Sequence, residues 1–194
     1  MAGVRQFNEA DALEKALALF WQQGYARTSM QELAEATGVQ RGSLYHAYGD
    51  KETVFLRAFA LYQQRYVGQM RQALDKPDLR AALRAFADFA IKSMTTGMPT
   101  RGCLSTKTAV GTEELDDAMR SALRGMLDDI EAILYERCAR PDARARLTIE
   151  PRQAARMMLT LTRGLVVIER VYQDERRMRA TATQLVDLLV KGQE

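Results

Sequence analysis

Apolar positions along the chain recur at steps of three and four, and stretches in which apolar and polar residues strictly alternate are almost absent. That is the period of helices, which bring i, i+3 and i+4 onto one face, rather than of half-buried strands. Leu13, Leu17, Phe20 and Trp21 form the first such stripe; Asn8 is its N-cap candidate, Asp11 stands at the third helical position, and Gly24 ends it. A capping box, either Thr28 with Gln31 or Ser29 with Glu32, opens a short helix that stops at Gly38, and a second short helix runs from about Gln40 to Ala47. Asp50 caps a long fourth helix carrying Val54, Phe55, Ala58, Phe59 and Tyr62. Breakers at Lys76-Pro77, Gly97 to Gly102, Arg140-Pro141 and Glu150-Pro151 divide the rest into helices near 78–96, 103–110, 112–139, 151–173 and 175–191. The pattern predicts an all-α chain: a head of three short helices over residues 1–50, joined through the fourth helix to a larger helical bundle over residues 51–194.

Composition narrows the class of function. With 194 residues, 47% hydrophobic, 27% charged and a net charge of +3, the chain reads as a folded soluble protein rather than a disordered or fibrous one. Its longest apolar runs, such as Ala16 to Trp21 and Leu165 to Ile168, fall far short of the roughly 20 residues of a membrane span. Glu9, Asp11 and Glu14 stand where a secretory signal would need an apolar core, and Cys103 and Cys138 make no disulfide framework, so a cytoplasmic location is expected. The one histidine, His46, and two cysteines 35 positions apart offer no metal-ligand spacing. No glycine-rich phosphate loop and no Gly-x-Ser-x-Gly occurs, so neither a cofactor nor an enzyme activity is expected.

The head carries the chemistry. A helix-turn-helix requires a small residue where its helices cross, a residue tolerant of positive φ in the turn, and apolar residues behind the second helix. Ala34, Gly38, Val39 and Leu44 supply these in order, and the exposed face of the second helix then presents Gln40, Arg41, Ser43, Tyr45 and His46, donors suited to a major groove. The competing reading is a helical hairpin with a polar solvent face. Charge adds a constraint, because residues 1–50 hold four cations against six carboxylates while residues 51–194 hold 24 against 19. Without a basic block, DNA binding must rest on a few placed cations, on helix N-termini facing phosphates, and on dimerisation that doubles the contacts.

The run from Thr28 to Glu52 combines the capping box, the turn glycine, Gly42-x-Leu44-Tyr45-x-x-Tyr48 and the helix start Asp50-Lys51-Glu52. It resembles the N-terminal signature of TetR-type transcriptional regulators, over about residues 8–60. The resemblance implies a homodimer on double-stranded DNA with a ligand-binding C-terminal bundle. It places Thr28 and Ser29 on a phosphate, Gln40, Arg41, Gly42, Ser43, Tyr45 and His46 in the major groove, and Tyr48 and Lys51 on the DNA backbone. Gln40 stands where the family often has Ser; glutamine is a poor N-cap, so it is open to reach a base or a phosphate instead. Tyr45 also has a reading as a core-lining aromatic.

In the bundle, Phe86, Phe89, Met94, Met119, Met126, Tyr135, Met157 and Met158 are adaptable apolar wall material. The resemblance implies that some of them, with Cys103, line a cavity for a small apolar or amphipathic effector. Leu159, Leu161, Leu165, Val166, Ile168, Val171 and Tyr172, followed by Leu185, Val186, Leu188 and Leu189, carry more apolar surface than one bundle face needs and read as the dimer-forming pair. Cys103 follows Gly102 at a helix start with Arg101 and Lys107 nearby, conditions that lower a thiol pKa. The reading favoured by these residues is a repressor that an effector releases from a palindromic operator. The alternatives are a redox- or electrophile-sensing regulator using Cys103, and a helical ligand-binding protein without DNA function.

Overall fold

A computed structural model describes residues 7–97, 99–111 and 115–192. Among them lie ten α-helices: α1 (Glu9–Gln23), α2 (Met30–Thr37), α3 (Arg41–Tyr48), α4 (Lys51–Leu74), α5 (Leu79–Thr95), α6 (Leu104–Gly111), α7 (Asp117–Cys138), α8 (Pro141–Arg146), α9 (Pro151–Tyr172) and α10 (Glu175–Leu189). An isolated antiparallel bridge joins Leu147 to Val190. No helix of the described residues is long and apolar enough to cross a membrane.

Local chemistry sets most helix boundaries. Asn8, Asp78 and Asp174 each accept the backbone N–H three residues on, satisfying a donor that a helix start leaves unpaired. Asp50 does the same for Thr53 at 2.7 Å, and Asp116 for Met119 at 2.7 Å. The Asp116 cap starts α7 at Asp117, later than position 112 expected from the breakers; residues 112–114 lie outside the described residues. The Arg140-Pro141 break contains a helix of its own. Pro141 is the first helical residue of α8, where a missing N–H and a fixed φ cost nothing.

The chain divides into two compact units, Met1–Gln64 with Leu104–Leu123, and Arg65–Cys103 with Arg124–Glu194. In the first unit α1 packs on α2 and α2 on α3. The core there is aromatic: Phe20 meets Phe55 edge-on at 5.2 Å between centroids, Tyr25 meets Phe55 at 5.1 Å, and Trp21 meets Tyr62 at 4.8 Å. In the second unit α5 buries Leu79, Leu83, Phe86 and Ile91 and packs on α9 and α10. At its rim Arg80 and Arg84 both pair with Asp187 of α10, the latter at 2.8 Å.

Candidate nucleic-acid interface

The start of α2 is fixed by a reciprocal cap. The Ser29 hydroxyl oxygen accepts the Glu32 N–H at 3.2 Å, while the Ser29 N–H donates to the Glu32 carboxylate at 2.8 Å. Of the two boxes legible in the sequence, Ser29 with Glu32 is the one formed. Hydrogen bonds from Ser29 hold the Glu32 carboxyl below the usual carboxylate range. The helix ends at Gly38 with φ +71°, a left-handed conformation that glycine adopts without strain, and the chain turns there into α3.

Helix α3 buries Leu44 and Tyr48, four residues apart on one face, and so turns the opposite face outward. Gln40, Arg41, Gly42, Tyr45 and His46 are exposed and Ser43 is half-buried. Gln40 precedes α3 without a side-chain cap; its carbonyl accepts the Ser43 N–H at 2.9 Å, which leaves the N–H groups of Arg41 and Gly42 open to an incoming acceptor. The Arg41 guanidinium lies 5.5 Å from the centroid of the Tyr45 ring, within 3.5 Å of its hydroxyl. A Cβ at Gly42 would meet nothing within 4 Å, so the absence of a side chain there serves no internal packing.

Three expected DNA contacts have internal roles. Thr28 is buried; its hydroxyl donates to the Gly24 carbonyl at 2.7 Å and accepts from the Gln23 amide at 3.3 Å, so the loop uses it to hold the end of α1. Tyr48 is buried as well, its ring 6.4 Å from that of Phe7, because it shares the inner face of α3 with Leu44. The Lys51 ammonium donates to the Tyr25 carbonyl at 3.1 Å and sits 4.1 Å from the Tyr25 ring centroid. Burial pushes its pKa below the ordinary lysine range, with the nearby Glu32 acting the other way. Lys51 therefore pins the α1–α2 loop to the start of α4.

Lys107 of α6 was not singled out from the sequence as part of the head. It donates to the carbonyls of Trp21 at 2.8 Å and Gln22 at 3.3 Å, placing a cation at the negative end of the α1 dipole. Arg27 supplies a second, donating to the Gln23 carbonyl at 3.1 Å. The available signal was the last turn of α1, which holds no basic residue of its own.

The helix-turn-helix geometry agrees with comparison to known proteins. The model for bacterial regulatory proteins of the tetR family matches residues 12–58, and that for the tetracyclin repressor-like C-terminal domain matches residues 79–185, more than half of the chain. The chain belongs to the TetR family. The HTH-type transcriptional repressor ComR of Escherichia coli K12 is 31% identical over 99 residues, covering 50% of this chain and 47% of ComR. The uncharacterized HTH-type transcriptional regulator YezE of Bacillus subtilis is 27% identical over 107 residues, 55% of each chain. The match thus spans about half the length of these curated relatives. A cysteine mutant of the TetR family regulator CifR, solved with 26-bp double-strand operator DNA, has a TM-score of 0.85 and 26% identity over 97% of this chain and 100% of that one. The reduced form of Escherichia coli NemR shares the fold, with a TM-score of 0.82 at 22% identity over 93% and 97%.

In this TetR-family chain the expected effector residues fall in both units. Phe86, Met94, Cys103 and Met126 are buried in the second unit, and Phe89 is half-buried with its ring 4.9 Å from Tyr66. Met119 belongs to the first unit, and Met157 is exposed on α9. The expected dimer residues divide too. Leu165 and Leu189 are buried within the chain itself, so they are core, while Leu161, Ile168 and Leu185 are half-buried. Besides Met157, the large apolar side chains left outside on these helices are Val167 (59% exposed), Val171 (69%), Tyr172 (52%) and Leu188 (72%).

Cys103 is buried immediately before α6. A cation not expected from the sequence lies at its sulfur: Arg163 of α9 donates to Sγ at 3.3 Å and to the Tyr66 hydroxyl at 3.2 Å. Arg101 donates to the Ser93 carbonyl, and Lys107 to the end of α1. Burial raises the Tyr66 phenol above its ordinary range, opposed by Arg163. Burial also pushes the Cys138 thiol up to about 11, against the pull of Arg137, which leaves that thiol protonated and inert near neutrality.

Proposed function

We propose that the chain acts as a homodimeric transcriptional repressor that reads duplex DNA with α3 and is released from a palindromic operator by a small apolar or amphipathic effector bound in its second unit. The observation that carries this reading is the outer face of α3. It sets Gln40, Arg41, Tyr45 and His46 outward around an uncapped helix start, with Gly42 clearing the approach. Those donors match purine edges in a major groove, and the open amides match a phosphate. Each head holds only four cations against six carboxylates, so the proposed grip on DNA calls for a second copy that doubles the contacts. Val167 and Val171, one turn apart on α9, and Leu188 on α10 are the surface proposed for that pairing. CifR, similar over nearly the whole chain, was solved with operator DNA, which supports the same partner here.

Arg41→Ala, or Gln40→Ala, is expected to relax preference at a defined base position, since one bidentate pair discriminates by about 1–3 kcal/mol. Titration against a panel of singly substituted duplexes measures this. A variant that keeps the wild-type ranking of the panel shows that its residue reads no base.

The Arg163 guanidinium at the Cys103 sulfur favours a second reading, in which the effector is an electrophile. A cation beside sulfur stabilises thiolate. Conjugate addition to an unsaturated carbonyl would form a C–S bond at the β-carbon and leave the thiol proton on the α-carbon. Treatment with such an electrophile is then expected to release DNA from the wild type and not from Cys103→Ser. Equal release from both excludes Cys103 as the sensor.

A further inference from the structure

A cavity of about 340 Å³ lies in the second unit between the end of α4 and the last turns of α7, lined by Arg71, Leu74, Asp75, Glu136, Arg137 and Arg140 among others. None of the expected effector residues lines it. Its central feature is Arg137, a cation only 2% exposed. One nitrogen, Nη2, donates to the carbonyls of Lys76 at 3.0 Å and Pro77 at 3.2 Å, which ties down the α4–α5 connection. Nε and Nη1 are buried and have no hydrogen-bond partner among the described residues.

A guanidinium stays protonated, so this is a buried charge that two neutral carbonyls satisfy on one side only. An uncompensated buried charge is costly, and the carbonyl ends of α4 and α7 contribute only fractional negative charge. The two carboxylates on the cavity wall do not serve. Glu136 is paired with Arg71 at 3.3 Å, and Asp75 forms no ion pair with Arg137 among the described residues. Arg140 is exposed at the same cavity, and its side chain does not cap α8, the helix it precedes. Three guanidinium groups thus face two carboxylates, with one fork half-used and buried and a second at the mouth.

We propose that this cavity is a binding site for the oxyanion of a small molecule, a phosphate or a carboxylate, which takes the unused donors of Arg137 and pairs with Arg140. Planar donor forks match these oxyanions. The cavity is large enough for a small metabolite around that group, within the usual size of ligand pockets. The site shares no residue with the α3 face and does not depend on what that face binds.

Equilibrium dialysis of the full chain against labelled inorganic phosphate, and separately against labelled acetate, at an ionic strength fixed with chloride, tests this directly. Saturable binding of one anion per chain, half-complete below about 10 mM, is expected for at least one of the two. Phosphate alone would point to a phosphorylated ligand, acetate alone to a carboxylate, and both would leave the shared oxyanion chemistry standing. Arg140→Ala, an exposed position, is expected to weaken binding by about tenfold or more. Arg137→Lys, which keeps the charge and loses the fork, is expected to abolish it. If circular dichroism shows that Arg137→Lys does not fold, Arg140→Ala decides alone. No saturable binding of either anion, or binding unchanged in Arg140→Ala, overturns the proposal.

Discussion

Glutamate at both Val167 and Val171 is expected to turn the protein into a folded monomer and to lower its affinity for a palindromic duplex by about 10²- to 10⁴-fold. Both side chains are exposed and one turn apart on α9, so the substitutions leave the core of the chain intact. At a two-fold interface the same residues meet their symmetry mates, and four carboxylates would be brought together out of water, an arrangement that opposes association strongly. The head of each chain is negatively charged overall by sequence, with four cations against six carboxylates, so a single head on DNA holds few counterion-releasing contacts. Joining two heads makes the second binding event intramolecular, which is the origin of the expected factor. Sedimentation reports the mass, circular dichroism the helix content, and DNA titration the affinity. A variant that stays dimeric shows that the interface lies elsewhere; a monomer that binds the palindrome as tightly as wild type removes the two-headed mechanism.

Phe55→Ala is expected to cost about 3–5 kcal/mol of stability, the usual range for a fully buried phenylalanine. Phe55 is buried at the centre of the first unit, edge-on to Phe20 at 5.2 Å and Tyr25 at 5.1 Å, and 5.7 Å from Phe59. Its removal leaves a cavity that the three neighbouring aromatic rings cannot collapse without losing their own contacts. Since domains are stable by only about 5–15 kcal/mol, much of that margin goes. Urea unfolding followed by fluorescence of Trp21, whose ring lies against Tyr62 in the same unit, measures the loss. A cost below about 1 kcal/mol would show that the aromatic cluster does not hold the head together.

What could be read in the sequence was chiefly local. Asn8, Asp50 and Gly38 act through their nearest neighbours, and each stands where its residue type and spacing placed it. Thr28 and Ser29 carry the same kind of signal one position apart, and only the fold shows that Ser29 caps α2 while Thr28 turns back to Gly24. The burial of Tyr48 was available in principle from its four-residue spacing to Leu44. Pro141 marks a break in the apolar pattern, but proline also begins helices, and here it starts α8. Contacts made across long separations leave no local trace, as with Arg163 at Cys103, 60 positions away, and Lys107 at the end of α1. An apolar stripe likewise does not say whether it faces its own chain or a partner. Leu165 and Leu189 turn inward and Val167, Val171 and Leu188 outward on the same two helices, a difference decided by packing against α5.

The most direct measurement is selection of bound duplexes from a random pool by the purified full chain at low salt, repeated with Arg41→Ala. The wild type is expected to enrich an inverted repeat whose half-sites are centred roughly 34–36 Å apart or a multiple of that, with the enrichment relaxed at one position of each half-site in the variant. Retention of random duplexes without enrichment of any repeat, or no retention at all, would contradict the assignment of α3 as a reader of DNA.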